Sequence, residues 1–193
     1  PSVENEEYAV RKVKHQTEKA RIGELLASHI PDDASLFMNI GTTIEAVARA
    51  LCETHKHLRI VTNCINVATV LTRRQDFEII ITGGVVRHKD GGITGVATLD
   101  MIEQFRVDYA IVGASGVDLD GWLMDYDYRE VRAAQAMMKH ARQRFLAVDS
   151  SKFGRNAMMK LCHIGEVNDI FTDDSPPDDL LPILAEKNVR LHV

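Results

Sequence analysis

The chain has 193 residues, a formal net charge of −5 and 45% hydrophobic residues, a composition typical of a globular domain with its own core. This charge disfavours a protein that grips a nucleic-acid backbone over a wide face, and no apolar run reaches the roughly 20 residues that cross a bilayer. Three separated cysteines, Cys52, Cys64 and Cys162, predict free thiols in a reducing, cytoplasmic compartment.

Apolar, β-branched runs alternate with helical segments along the chain. Residues 1–7 have the composition of a fraying start, and residues 8–30 have the apolar spacing of one long helix. Strands are predicted at 35–39, 58–62, 77–82, 107–113, 145–149, 167–172 and 189–193. Helices are predicted between them at 43–54, 65–74, 97–105, 128–142 and 178–187. This order indicates an α/β fold, a mostly parallel sheet with helices on both faces.

The turn after the first strand reads Gly41-Thr42-Thr43 and opens an amphipathic helix. The first turn of such a helix points unpaired N–H groups and the positive end of its dipole above the strand, which suits phosphate. Thr42-x-x-Glu45 is equally a capping box, whose side chains only terminate the helix. The residues alone leave both interpretations open.

Small or polar residues also follow several later strands, and two carboxylates open a later helix. Because ligands of open α/β sheets bind beyond the carboxyl ends of the strands, we expect these residues to line one polar pocket. The candidate ligand-binding residues are Asn39, Gly41, Thr42, Thr43, Asn63, Gly83, Gly84, Arg87, Ser115, Gly116, Asp127, Glu130 and Lys152.

The candidates divide by chemistry. Lys152 suits a phosphate as a point charge, and Arg87 suits an anion through its planar fork, although a lone arginine is more often a surface ion pair. Asn63, Asp127 and Glu130 suit the hydroxyl groups of a sugar or polyol, although Asn63 is equally a helix cap. The Gly83-Gly84 pair is also typical of a simple tight turn.

The chain has no dinucleotide-binding or Walker pattern, and Ser115 lacks the context of a hydrolase nucleophile. The histidines do not cluster as metal ligands do. We therefore expect neither a cofactor nor a metal ion.

Several motifs occur in a fixed order between residues 36 and 154. They are Ile40-Gly41-Thr42-Thr43, Thr62-Asn63, Gly83-Gly84-x-x-Arg87, Gly95, Gly113-Ala114-Ser115-Gly116, Glu130-Val131-Arg132 and Asp149-Ser150-Ser151-Lys152-Phe153-Gly154. In this set and order the chain resembles the C-terminal effector-binding domain of the DeoR family of bacterial transcriptional regulators.

The resemblance implies a sugar-phosphate-isomerase-like fold that senses a small phosphorylated metabolite for a repressor. Within the family the chain is nearest to regulators of glycerol metabolism, which implies glycerol 3-phosphate as the preferred effector and another sugar phosphate otherwise. Homo-oligomers, as dimers or tetramers, and a cytoplasmic location without membrane contact are also implied. Asn39 stands where the family often has aspartate, which removes one negative charge from the expected pocket.

The resemblance also implies a domain organisation. Residues 1–30 are expected to be the interdomain linker and first helix, and residues 31–193 the effector-binding domain. The winged helix-turn-helix head of the family is not found in this sequence, so we expect DNA contacts only through that head.

The sequence also allows two other classes of function. The first is a sugar-phosphate isomerase that uses Glu130 or Asp127 as its base, but no base paired with a defined acid and oxyanion donor is obvious. The second is a pure assembly module, which is compatible with sensing. The sequence therefore favours a sensor that is not an enzyme.

Overall fold

A computed structural model of the chain describes residues 2–193. The helices are α1 (Tyr8–Val13), α2 (Gln16–Ala27), α3 (Thr42–Thr54), α4 (Ile65–Leu71), α5 (Val96–Ile102), α6 (Tyr128–Lys139) and α7 (Leu181–Glu186). The strands are β1 (Ser35–Met38), β2 (Arg59–Thr62), β3 (Glu78–Ile81), β4 (Val85–Val86), β5 (Ile93–Thr94), β6 (Val107–Val112), β7 (Gly116–Val117), β8 (Trp122–Asp125), β9 (Ala141–Ala147), β10 (Met159–His163), β11 (Asp169–Phe171) and β12 (Arg190–His192). Within these residues, no helix combines the length and apolarity that a bilayer crossing requires.

Seven parallel strands form the central sheet in the order β12-β11-β9-β6-β1-β2-β3. Alternate side chains of each strand enter cores on opposite faces, because successive residues of a strand point to opposite sides. In β1, Leu36 and Met38 pack in the core that contains α2, α3 and α4 residues, and Phe37 packs in the core with α5 and α6 residues. The predicted parallel sheet covered on both faces is confirmed.

The strand order places a topological switch point between β1 and β6. From β1 the chain continues outward through β2 and β3, and from β6 it continues to the other side through β9, β11 and β12. The loops after β1 and β6 therefore diverge, and a crevice opens between them, which is where such sheets bind ligands.

The predicted first helix is wrong in one respect, because it is two helices. His15 adopts the left-handed conformation (φ 55°) between α1 and α2. A left-handed residue cannot continue a right-handed helix, so the chain changes direction there. A second boundary also moves, since β9 begins at Ala141, inside the predicted helix 128–142.

Two small antiparallel sheets were not predicted. The first pairs β8 with β7 and β10, and the second is the hairpin of β4 and β5. Strands of two residues carry no detectable alternation, and β10 reaches β8 from a distant part of the chain. Both sheets lie beside the central sheet and add residues to the crevice.

Candidate functional site

A cavity of about 850 Å³ occupies the crevice beyond β1, β6 and β9. The predicted candidates that line it come from five separate stretches of chain. They are Gly41, Thr42, Thr43, Arg87, Ser115, Asp127, Glu130 and Lys152.

The amino-terminal end of α3 forms one wall of the cavity. Gly41 occupies the position before the helix with a positive φ of 152°, and no side chain caps the helix. The N–H groups of its first turn therefore lack side-chain partners, and the hydroxyls of Thr42 and Thr43 have no hydrogen-bond partner within residues 2–193. Glu45 does not close a capping box, because its carboxylate accepts hydrogen bonds of 2.9 and 3.1 Å from the Tyr8 hydroxyl. The two interpretations of this turn were a helix end with unpaired N–H donors and a capping box, and the structure supports the unpaired donors.

The opposite wall is a cluster of carboxylates around one arginine. The Arg87 guanidinium donates to Asp90 at 2.9 and 2.6 Å, to Asp127 at 2.9 Å and to Glu130 at 2.8 Å. Burial would lower the pKa of Arg87, but these carboxylates outweigh it and raise that pKa above its usual range. Of the two interpretations of Arg87, these contacts favour the ion pair, because its guanidinium already donates to the protein's own carboxylates.

Two carboxyl groups at this acidic wall, Asp125 and Glu130, favour bound protons, whereas the pKa of Asp127 is lowered. Burial raises the pKa of Asp125, which accepts from Tyr126 N–H at 2.7 Å and from the Ser115 hydroxyl at 3.1 Å. Burial also raises the pKa of Glu130, and the nearby charge of Asp125 raises it further. Oxygen-rich and partly protonated, the wall can accept hydrogen bonds from ligand hydroxyl groups or donate to them.

Lys152 brings a cation to the cavity from the turn after β9. Asp149 caps the short 3-10 turn Ser150–Lys152 by accepting from Ser151 N–H at 3.1 Å, which orients the following lysine. The pKa of Lys152 is lowered to about 8, chiefly by burial; Asp149 opposes this shift, and the positive charge of Arg155 contributes to it. Within residues 2–193, Lys152 forms no ion pair, so its ammonium is free to bind an anion.

The first residues of the chain complete the cavity, although the sequence suggested only a fraying start. Residues 3–9 line it, and Asn5 donates its side-chain N–H to the Ser115 hydroxyl at 3.4 Å. Tyr8 is tied to Glu45 as described above. The mixed charge of this segment gave no signal for the placement. Asp90 and Asp125 were also missed, although the spacing of Arg87 and Asp90 is an ion-pair signal that the sequence contained.

The two predicted asparagines, Asn39 and Asn63, do not line the cavity. Asn39 is buried, with its side-chain oxygen lacking a hydrogen-bond partner. The Asn63 side chain donates to the Ile93 carbonyl oxygen at 3.1 Å, and Ile93 N–H donates back to the Asn63 carbonyl at 2.7 Å. Asn63 therefore holds the β4–β5 hairpin over the end of β2. The Asn63 side chain is used in this contact and does not line the cavity, whereas Arg87, which follows β4, does.

Three predicted glycines also lie outside the cavity lining and serve close packing. A Cβ atom at Gly84 would lie 2.3 Å from the Thr98 hydroxyl, and that hydroxyl donates to the Gly83 carbonyl at 2.6 Å. A Cβ atom at Gly116 would lie 2.0 Å from the Arg155 carbonyl oxygen. The turn interpretation of Gly83-Gly84 is the one that the contacts support.

Replacing Gly116 with alanine is expected to destabilise the protein by about 1–3 kcal/mol, since the added methyl must push backbone aside. Gly113→Ala is the matched control, because a Cβ there meets its nearest atom at an ordinary 3.6 Å. Urea unfolding of the two variants measures the difference. Equal stabilities would contradict the close approach of residues 116 and 155.

Within residues 2–193, no group of three or more His, Cys, Asp or Glu side chains has an arrangement that could hold a metal ion. Cys64 and Cys162 are buried, Cys52 is half-buried, and each is a free thiol.

Comparison with known proteins identifies relatives over most of the chain. The family model of the DeoR C terminal sensor domain matches residues 14–174. The glycerol-3-phosphate regulon repressor of Escherichia coli K12 is 48% identical over 95% of this chain and 72% of its own length. That of Haemophilus influenzae is 44% identical over 98% and 73%. The HTH-type transcriptional repressor CsqR of E. coli K12 is 36% identical over 98% and 72%.

Solved structures share the fold at low sequence identity. Ribose 5-phosphate isomerase A from Neisseria gonorrhoeae matches with a TM-score of 0.51 and 15% identity over 70% of this chain and 52% of its own. The eIF2B delta subunit from Chaetomium thermophilum matches with a TM-score of 0.63 and 11% identity over 86% and 59%. At such identities the likeness confirms the sugar-phosphate-isomerase-like fold. It carries no information about activity.

Proposed function

The chain belongs to the DeoR family as a C-terminal, ligand-sensing domain of a transcriptional repressor, and we propose that its effector is glycerol 3-phosphate. The observation that carries the proposal is the free amide end of α3 facing the same cavity as the unpaired Lys152. The printed names of the relatives at 48% and 44% identity support this choice within the phosphorylated metabolites.

The proposed binding mode uses the two unlike walls of the cavity. The phosphate binds the first-turn N–H groups of α3, the hydroxyls of Thr42 and Thr43, and the Lys152 ammonium. The glycerol hydroxyls point to Asp127 and Glu130 on the acidic wall. The cavity of about 850 Å³ exceeds the need of a three-carbon ligand, so charge pattern supports the proposal more than size does. A sugar phosphate would use the same walls.

We test the mode with Thr43→Val, which removes one donor and keeps the shape. Affinity for glycerol 3-phosphate, measured by titration calorimetry, is expected to fall about tenfold, the size of one lost hydrogen bond to a charged group. Stability should stay nearly unchanged, because Thr43 caps nothing in α3. Glycerol serves as the control ligand and should not bind. Absence of binding at millimolar glycerol 3-phosphate would remove this effector.

The affinity should also depend on pH in a bell-shaped manner. Above about pH 8 the ammonium of Lys152 loses its proton, because burial lowers its pKa to about 8. Below about pH 6 a phosphate monoester loses one of its two charges. Lys152→Arg, which stays charged, should extend binding to higher pH in the same calorimetric titrations. If the affinity of Lys152→Arg falls above about pH 8 as it does in the parent, a group other than Lys152 causes that fall.

We propose that the domain does not catalyse sugar-phosphate isomerisation. The two carboxylates considered as its base, Glu130 and Asp127, are held by Arg87 at 2.8 and 2.9 Å. These ion pairs give both carboxylates a structural role in the wall of the cavity. Incubation with ribose 5-phosphate should give no turnover, and turnover abolished by Glu130→Gln would reverse the conclusion.

The remaining proposals concern the whole regulator. Residues 1–30 act as linker and first helix before the domain of residues 31–193, and a head outside this sequence binds DNA, as the name of the CsqR relative suggests. Self-association in the cytoplasm is supported by exposed apolar side chains, since Ile81 on the edge strand β3 is 43% exposed and Val85 on β4 is 67% exposed. Light scattering during gel filtration measures the oligomer.

A further inference from the structure

A second, smaller pocket of about 260 Å³ lies beneath the N-terminal helices and beside the turn after β9. Its charged lining is strongly unbalanced. Five cations, Arg11, Lys14, Lys19, Lys152 and Arg155, face two carboxylates, Glu6 and Asp149. An excess of positive charge is thus concentrated at one place in a protein whose net charge is −5.

Most of these cations lack a carboxylate partner within residues 2–193. Lys19 is only 4% exposed, and its ammonium donates to the Arg11 carbonyl oxygen at 2.6 Å without forming any ion pair. Lys152 and Arg155 form no ion pair either, whereas Lys14 is paired with Glu6 at 2.6 Å and Arg11 with Asp90 at 3.9 Å. Burying unpaired charges is unfavourable, so an anion bound among them would stabilise this arrangement.

We propose that this pocket is a second anion-binding site, which takes a phosphoryl-type dianion and thereby joins the N-terminal helices to the turn after β9. Ammonium groups and the planar fork of Arg155 suit the several oxygen acceptors of such a group. The site contains no part of the α3 amide end, so the inference stands even if glycerol 3-phosphate is not the effector.

The dianion has two sources. The pocket shares Glu6, Arg11 and Lys152 with the lining of the larger cavity, so the phosphoryl group of a ligand held there can reach it. Free inorganic phosphate is the other source. In both cases the anion contacts α1 and α2 on one side and residues 152–155 on the other, and therefore holds the first helices against the domain.

Hydrogen exchange of the α1 amides tests the proposal with inorganic phosphate as the probe. Phosphate should slow this exchange, while sodium chloride at equal ionic strength should not. Arg155→Gln should raise the phosphate concentration at half-protection about tenfold, the effect of one lost charged contact. Lys187→Gln, an exposed surface change, is the matched control, and Thr43→Val should leave the half-protection point unchanged because it lies at the other site.

Unchanged exchange in phosphate, or a half-protection point that Arg155→Gln does not move, would overturn the proposal. Lys14→Gln is a second variant in case Arg155→Gln disturbs folding. Glycerol 3-phosphate separates the sources: protection of the α1 amides that it gives without inorganic phosphate, and that Thr43→Val retains, assigns the pocket to the effector's own phosphoryl group, and protection that requires inorganic phosphate assigns it to a free anion. Failure of glycerol 3-phosphate to bind would leave the phosphate result intact and would count only against the proposed effector.

Discussion

Lys152→Met is expected to lower the affinity for glycerol 3-phosphate by about 10- to 100-fold, which corresponds to one charged hydrogen bond lost at a desolvated site. Methionine keeps most of the side-chain volume and removes only the ammonium. Because Lys152 has no ion pair within the described residues, its removal breaks no internal contact of that kind. Titration calorimetry gives the affinity, and Lys139→Met on the exposed face of α6 is the control.

The same variant should be at least as stable as the parent at neutral pH. Burial lowers the pKa of Lys152 from 10.5 to about 8 in the folded protein, so the charged form disfavours folding below that range. The parent should gain stability as the pH rises from about 8 towards 10.5, and Lys152→Met should lack this gain. Unchanged affinity in Lys152→Met would place the phosphate elsewhere in the cavity.

Arg87→Met is expected to have the largest effect on stability, a loss of about 3–5 kcal/mol at pH 7, because it leaves buried carboxylates without their partner. Asp90 is 4% exposed, and the Glu130 side chain 14%. Urea unfolding at pH 7 measures the loss, and Arg59→Met, which breaks a pair that is 74% and 57% exposed, should change little.

The sign of the pH dependence distinguishes lost charge pairing from lost packing. Without Arg87 the pKa values of the neighbouring carboxylates rise, so these groups bind protons more readily in the folded state than in the unfolded state. The difference in unfolding free energy between the parent and Arg87→Met should therefore become smaller as the pH falls from 7 to about 5. Adding Asp90→Asn to the variant should recover part of the loss at pH 7, because Asp90 is the most buried of the carboxylates that Arg87 contacts. A deficit that does not depend on pH would contradict the charge explanation.

Much of the domain was predictable from local sequence. Each strand of the central sheet overlaps a predicted apolar run, because a strand buried on both faces needs apolar side chains on both, although β9 begins at Ala141, before its apolar run. The sequence also predicts that the turn at Gly41 and Lys152 lie in the crevice, and both line the cavity. Both directly follow strands, and the carboxyl ends of parallel strands share one edge of the sheet.

Contacts between distant segments decided the rest of the site. Whether Arg87 binds a ligand or the protein depends on carboxylates 40 and 43 residues further along the chain, at Asp127 and Glu130. Asn63 lies outside the cavity because the β4–β5 hairpin covers the end of β2. Residues 3–9 line the cavity because the Tyr8 hydroxyl donates to the Glu45 carboxylate. Hydrophobic periodicity reports which face of an element is buried, but it carries no information on which distant polar group becomes its partner.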